Sequence, residues 1–146
     1  MIPVTQSQLG DPKNGGEGGT CFRAALASLF EVLEAAVPDF ANEYSDEEWH
    51  TAREAWLATR GWASAFLRIT EEARPLVTTD WRPPGWSLLS GRSVRGFHHV
   101  VVCRDGVPVH DPHPSRAGLE TVDGWYVFLP LSETFDEAIR KLVTTC

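Results

Sequence analysis

Hydrophobic positions along the chain fall into two textures. In the first, Phe22, Ala25, Leu26, Leu29, Phe30 and Leu33 recur at spacings of three and four, the stripe of an amphipathic or largely buried helix. Thr20 stands where an N-cap belongs and puts Cys21 in the first turn, and Pro38 closes the segment. Ser45-Asp46-Glu47-Glu48 has the pattern of a capping box. Trp49, Ala52, Trp56 and Leu57 then make an apolar face, and Gly61 sits where a C′ glycine belongs. The pattern predicts a second helix that ends before Gly61, with Trp49 and Trp56 in the core.

From Trp62 the period shortens. Residues 62–69 read as a strand, Arg82-Pro83-Pro84-Gly85 as a turn, and residues 86–89 as a short apolar run closed by Ser90-Gly91. The strongest strand is 98–103. Asp105-Gly106 is a hairpin signal, residues 107–110 return, and residues 125–129 form a further strand after Val122-Asp123-Gly124. Residues 134–142 suit a short terminal helix, with Thr134 and Glu137 as a second capping box. Helices come first and an antiparallel sheet follows, which is α+β organisation. The expectation is a single domain over 1–146: an approach loop (1–20), a helical half (21–61), a β half (62–130) and a C-terminal helix or tail (131–146).

Composition narrows the function classes. With 42% hydrophobic and 23% charged residues the chain is globular in character, not disordered or fibrous. A chain of 146 residues buries roughly 68–70% of its unfolded surface and needs no disulfide staples. Its three cysteines, Cys21, Cys103 and Cys146, are an odd number and do not form a secreted disulfide framework. A net charge of −7 argues against a broad nucleic-acid footprint and against polybasic membrane attachment. Through steering it favours a neutral or basic partner. The leading residues show no secretory pattern, and the apolar stretch 24–37 is interrupted by Glu31 and Glu34 and too short to span a bilayer. A soluble cytoplasmic protein is expected.

Candidate chemistry begins at Cys21. Helix-start N–H groups and the positive end of the dipole favour a thiolate, and an imidazolium partner favours it further. The Gly-rich run from Gly10 to Gly19 lets backbone approach whatever binds there. A histidine on a strand and an aspartate on the returning strand supply a base and its orienter, the logic of a nucleophile–base–acid triad. Hairpin parity selects the histidine. A three-residue Arg104-Asp105-Gly106 loop with a bulge sets His99 opposite Asp111; a two-residue Asp105-Gly106 turn puts His98 on the Asp111 face instead. The sequence alone leaves both open.

Thr20-Cys21-Phe22-Arg23-Ala24-Ala25-Leu26-Ala27-Ser28-Leu29 resembles the G-N-C-F-x-A-x-x-A-S-L opening of small papain-like cysteine-peptidase domains of bacteria and phages, relatives of the bacteriocin-processing peptidases. Gly91-Arg92-Ser93-Val94-Arg95-Gly96-Phe97-His98-His99-Val100-Val101 and Val109-His110-Asp111-Pro112-His113-Pro114-Ser115 are similar to the later blocks of those domains. The resemblance covers about residues 4–36 and 84–120. It implies a papain-like fold, Cys21 as nucleophile, His99 as base and Asp111 as its partner, with no cofactor and a protein or peptide substrate. Papain-like enzymes place an oxyanion-binding Gln a few residues before the Cys, six in the best-known members. Here that position is Gly15, and Gln6 is the best candidate, with Gln8 second.

Each residue also has a plainer reading. Cys21 is then a packed helix-start thiol, Asp111 an Asp-Pro turn initiator, and His99 a packed residue with His98 as the base. His98, His99, His110, Asp111 and His113 are metal-ligand types, but His110-x-x-His113 is not a standard zinc spacing, and no metal is expected. Cys103 and Cys146 lie in settings that do not activate a thiol. Trp86 and Trp125 suit a substrate groove or, more simply, the core. The function expected is a thiol hydrolase cleaving a peptide or isopeptide bond through a Cys-His-Asp triad. Alternatives are deamidase or transglutaminase-type acyl transfer, a papain-like binding module without turnover, and an amidase acting on murein.

Overall fold

Strand β3, His98–Arg104, lies inside a five-stranded antiparallel sheet ordered β1-β5-β2-β3-β4. The other strands are β1 (Trp62–Arg68), β2 (Trp86–Ser93), β4 (Val107–His110) and β5 (Leu119–Pro130). Helices α1 (Cys21–Phe30), α2 (Phe40–Glu43) and α3 (Trp49–Ala58), with a 3-10 turn at Glu34–Ala36, precede the sheet in the chain and pack on it. This is the α+β arrangement of helices on an antiparallel sheet. The computed structural model describes residues 1–10, 18–69, 81–132, 137 and 140. Among the described residues no helix is long and apolar enough to cross a membrane.

The apolar run in β3 is continuous because the strand is covered on both faces. Val100 and Val102 join Leu26, Leu57, Leu88 and Tyr126 under the helices. Val101 and Cys103 join Trp125 and Val127 on the opposite face. Leu26, Leu57 and Leu88 are fully buried, and each such side chain contributes about 1.5–3 kcal/mol over exposure.

Several boundaries differ from the expected ones. Helix α1 stops at Phe30 because Glu31 turns left-handed (φ 54°), and Leu33, counted in the helical stripe, is 80% exposed. Thr20 does not cap the helix with its side chain; its Oγ1 accepts the Gln8 N–H instead (3.2 Å). The second helix begins at Trp49, and the Ser45 N–H and hydroxyl both donate to Glu48 Oε2 (3.3 and 2.9 Å). Strand β2 runs past Ser90-Gly91 to Ser93, and glycine at 91 permits its close approach to β5, where any side chain would collide with the Thr121 carbonyl. β5 starts at Leu119, earlier than its apolar stretch suggests. The expected terminal helix over 134–142 lies almost wholly outside the described residues, as do Cys146 and positions 11–17 of the Gly-rich run.

The β3–β4 hairpin combines the two expected geometries. Asp105 (φ 50°) and Gly106 (φ 71°) form a two-residue turn with Arg104 opposite Val107. A bulge then intervenes: Cys103 faces Pro108, but Val102 faces His110, so Val109 is the extra residue. The turn alone would set His98 in parity with Asp111; the bulge restores His99.

Candidate active site

Cys21 is the first residue of α1, half-buried at the edge of a cleft of about 730 Å³. The residue that organises this edge is His99, only 3% exposed. Its Nε2 donates to Asp111 Oδ1 at 2.7 Å, and the Cys21 thiol is its second side-chain hydrogen-bond partner. With Nε2 committed to the carboxylate, Nδ1 is the ring nitrogen left for the thiol.

Asp111 follows the end of β4 with both oxygens engaged. Oδ1 also accepts the His113 N–H (2.8 Å) and Oδ2 accepts the Gly118 N–H (2.8 Å). Burial works against its charge, but the His99 hydrogen bond, these two backbone N–H donors and the imidazolium charge outweigh it and hold the carboxyl at about 2. For His99, burial pulls the pKa down. The hydrogen bonds to Asp111 and Cys21, and the negative charge of both, prevail and raise it to about 9. A strongly shifted acid–base pair beside a thiol, opening on a cleft, makes this edge the candidate functional site.

Gln6 arrives at the same cleft from far away in sequence. The N-terminal segment is strapped to α1 by Ile2 N–H to Ser28 O (3.2 Å) and Val4 N–H to Ser28 Oγ (2.9 Å). It is tied to the loop after β4 by Gln6 N–H to Pro112 O (3.0 Å) and by His110 Nε2–H to Val4 O (2.8 Å). Arg116 clamps that loop, donating to the Asp111 carbonyl, to His110 Nδ1 (3.0 Å) and to Thr5 Oγ1 (3.0 Å). The Gln6 side chain is 6% exposed and borders the cleft, and its Nε2 gives one N–H to Gln8 O at 2.7 Å. A second N–H remains, as amides carry two. Gln8 turns away, with Nε2 toward Gly18 O (3.4 Å), and is not part of the cleft wall. Gly19 makes room: a Cβ there would lie 2.9 Å from Gly10 N and 3.2 Å from Gln6 Nε2.

The structure thus brings Gln6, Cys21, His99 and Asp111 together around one cleft edge. It keeps His98 from Asp111: His98 borders the cleft, but its Nε2 lies 3.2 Å from Ser90 Oγ and 3.4 Å from Asp123 Oδ2. Among the described residues no group of three or more His, Cys, Asp or Glu is placed to hold a metal ion. Cys103 is fully buried in β3, and burial pushes its thiol up to about 11.

The cleft has two walls of different character. Phe22, Phe40, Tyr44 and Trp49 come from the helical side, and Arg95, Phe97, His113 and Tyr126 from the sheet side. Sequence reasoning had placed Trp49 in the core, yet its ring forms cleft wall, resting on the Arg53 guanidinium (4.8 Å) that also underlies Tyr126 (5.3 Å). Trp56 is core; Trp86 and Trp125 take no part in the cleft. Phe22, Phe40 and Trp49 sit at apolar positions of three separate helices, where the sequence reads as core, and only their tertiary placement brings them to one cleft wall. Comparison of the chain with family models, with curated proteins and with solved structures finds no match.

Proposed function

We propose that the chain is a papain-like thiol hydrolase that cleaves a peptide or isopeptide amide through Cys21, His99 and Asp111. The observation that carries this reading is His99, buried, fixed through Nε2 on Asp111 and hydrogen-bonded to the thiol at the start of α1. Cys21 Sγ, its proton held by His99, attacks the carbonyl carbon; a C–S bond forms and the carbonyl π pair moves onto oxygen. That oxygen takes hydrogen bonds from the Cys21 N–H, which has no helical partner, and from the free N–H of Gln6. Collapse breaks the C–N bond, and His99 gives its proton to the departing nitrogen. Water, deprotonated by the now neutral His99, then releases the acyl group and restores the thiol. Asp111 keeps the ring oriented and stabilises the imidazolium.

Deamidation and transamidation use the same acyl-enzyme, with a Gln side-chain amide as donor or an amine as acceptor. The decisive experiment is labelling by a thiol-reactive amide-mimic probe. Wild type is expected to label at Cys21 and Cys21→Ala not at all, with unchanged circular dichroism. Equal labelling of the two proteins would overturn the assignment. Rapid labelling with no acyl turnover on peptides, amines or murein would point to the binding module.

A further inference from the structure

We propose that the sheet wall of the cleft holds a carboxylate-binding subsite built on Arg95, so that favoured substrates carry a carboxylate beside the scissile amide, on its leaving-group side. The proposal rests on the thiol-hydrolase reading and names its substrate class. Arg95 lies in the turn joining β2 to β3, which is closed by Gly96 N–H to Ser93 O (2.8 Å) and Ser93 N–H to Phe97 O (2.9 Å). Its guanidinium is not a free surface arm. Nη1 donates to Ser115 Oγ at 3.0 Å, and that hydroxyl lies 2.8 Å from His113 Nδ1, which also accepts the Ser115 N–H at 3.0 Å. The His113 ring in turn stands edge-on to His99, with centroids 6.2 Å apart. Arg95, His113 and His99 therefore form one braced row along the cleft.

In that row the uncompensated charge is that of Arg95: His99 is paired with Asp111, and burial together with the Arg95 charge holds His113 toward its neutral form. Among the described residues no carboxylate is within ion-pair distance of Arg95. The nearby carboxylate of Asp111 is spent on His99 and two backbone N–H groups. Asp46, the acidic residue of the cleft, is on the helical wall. Arg95 keeps donors beyond the Ser115 bond, and a guanidinium presents them in a fork that fits a carboxylate. Position follows from the chemistry: His99 delivers the proton to the departing nitrogen, so what that nitrogen carries lies on the side of the cleft where His99, His113 and Arg95 stand. The local field thus opposes the global one, since a chain of net charge −7 turns the Arg95 guanidinium toward its substrate. The carboxylate has two sources, the free α-carboxylate of a one-residue leaving group or an acidic side chain.

The test alkylates Cys21 with three matched reagents: iodoacetylglycine, its neutral amide, and iodoacetylglutamic acid α-amide. Peptide mapping by mass spectrometry follows Cys21 alone. A charge-assisted contact of this kind predicts that iodoacetylglycine reacts about tenfold faster than its amide. The ratio is expected to fall below about threefold in Arg95→Gln and to recover in part in Arg95→Lys, which keeps a point charge without the fork. A preference confined to iodoacetylglycine assigns the α-carboxylate; one shared with the glutamate reagent assigns the side chain as well. The same ratio in wild type and Arg95→Gln, with Cys21 alkylated in both, overturns the subsite and leaves the thiol reading standing. Cys21 untouched by all three reagents overturns the thiol reading and this one with it.

Discussion

His98 and His99 are neighbours at the start of β3, and each ring nitrogen Nε2 meets an aspartate. For His99 the partner is Asp111 at 2.7 Å, with the ring 3% and the carboxylate 8% exposed; for His98 it is Asp123 at 3.4 Å, with 66% and 52% exposed. The residue types are the same and the surroundings are not. Around His99, water is displaced, the carboxylate is held by two backbone N–H groups, and the hydrogen bonds act in a low dielectric. Around His98, solvent screens the pair and the geometry is slack, so it contributes little. Burial with full hydrogen bonding is what turns a His–Asp contact into a tuned acid–base pair.

The sharpest way to break the contrast is to delete each imidazole. His99→Ala is expected to slow Cys21-dependent turnover by about 10²–10⁴, measured as kcat/KM or, without a substrate, as probe labelling near pH 7. A slow His98→Ala beside a fast His99→Ala would reverse the assignment. Next in size is the register. Inserting one residue between Val109 and His110 carries Asp111 one position along β4 and onto the parity of His98, and a loss of about 10² is expected, comparable with losing a group that positions a catalytic one. Retained activity in a folded insertion variant would show that parity is set elsewhere.

The pH profile is gentler. In the proposed mechanism His99 must be protonated to serve the leaving nitrogen, and its pKa is raised to about 9. The proton is therefore in place through neutrality and is lost as pH rises through about 9, giving an alkaline limb with a slope of about tenfold per unit. Asp111→Asn removes the carboxylate charge that raises His99, so the limb is expected to move to lower pH. A limb that stays where it was would detach it from His99. The smallest effect belongs to His98→Ala, within about twofold in rate, because its partners are a solvent-exposed carboxylate and the Ser90 hydroxyl.

Much of this was legible along the chain. The three-and-four spacing behind Thr20-Cys21 marked α1, and the run from His98 to Cys103 marked the central strand, because helix and strand periods are local properties. Asp105-Gly106 marked the turn through its need for positive φ at both positions. The sequence could not decide which histidine faced Asp111. Parity changes with every inserted residue, and the bulge at Val109 sits on β4, where Pro108 has no N–H for the ladder. Gln6 was legible only as a residue type, and its place depends on hydrogen bonds to Ser28, Pro112 and His110 that span long stretches of chain.

What the sequence by itself determined is the order of elements, the thiol at a helix start, and the set of polar residues available to it. Tertiary structure alone decided three things: that His99 and not His98 is buried against Asp111, that Gln6 and not Gln8 borders the cleft, and that Trp49 is wall as well as core. The physical reason is range. Periodicity and turn chemistry act over a few residues, whereas burial, register and the field around a titratable group are set by elements the chain brings together from a hundred residues apart.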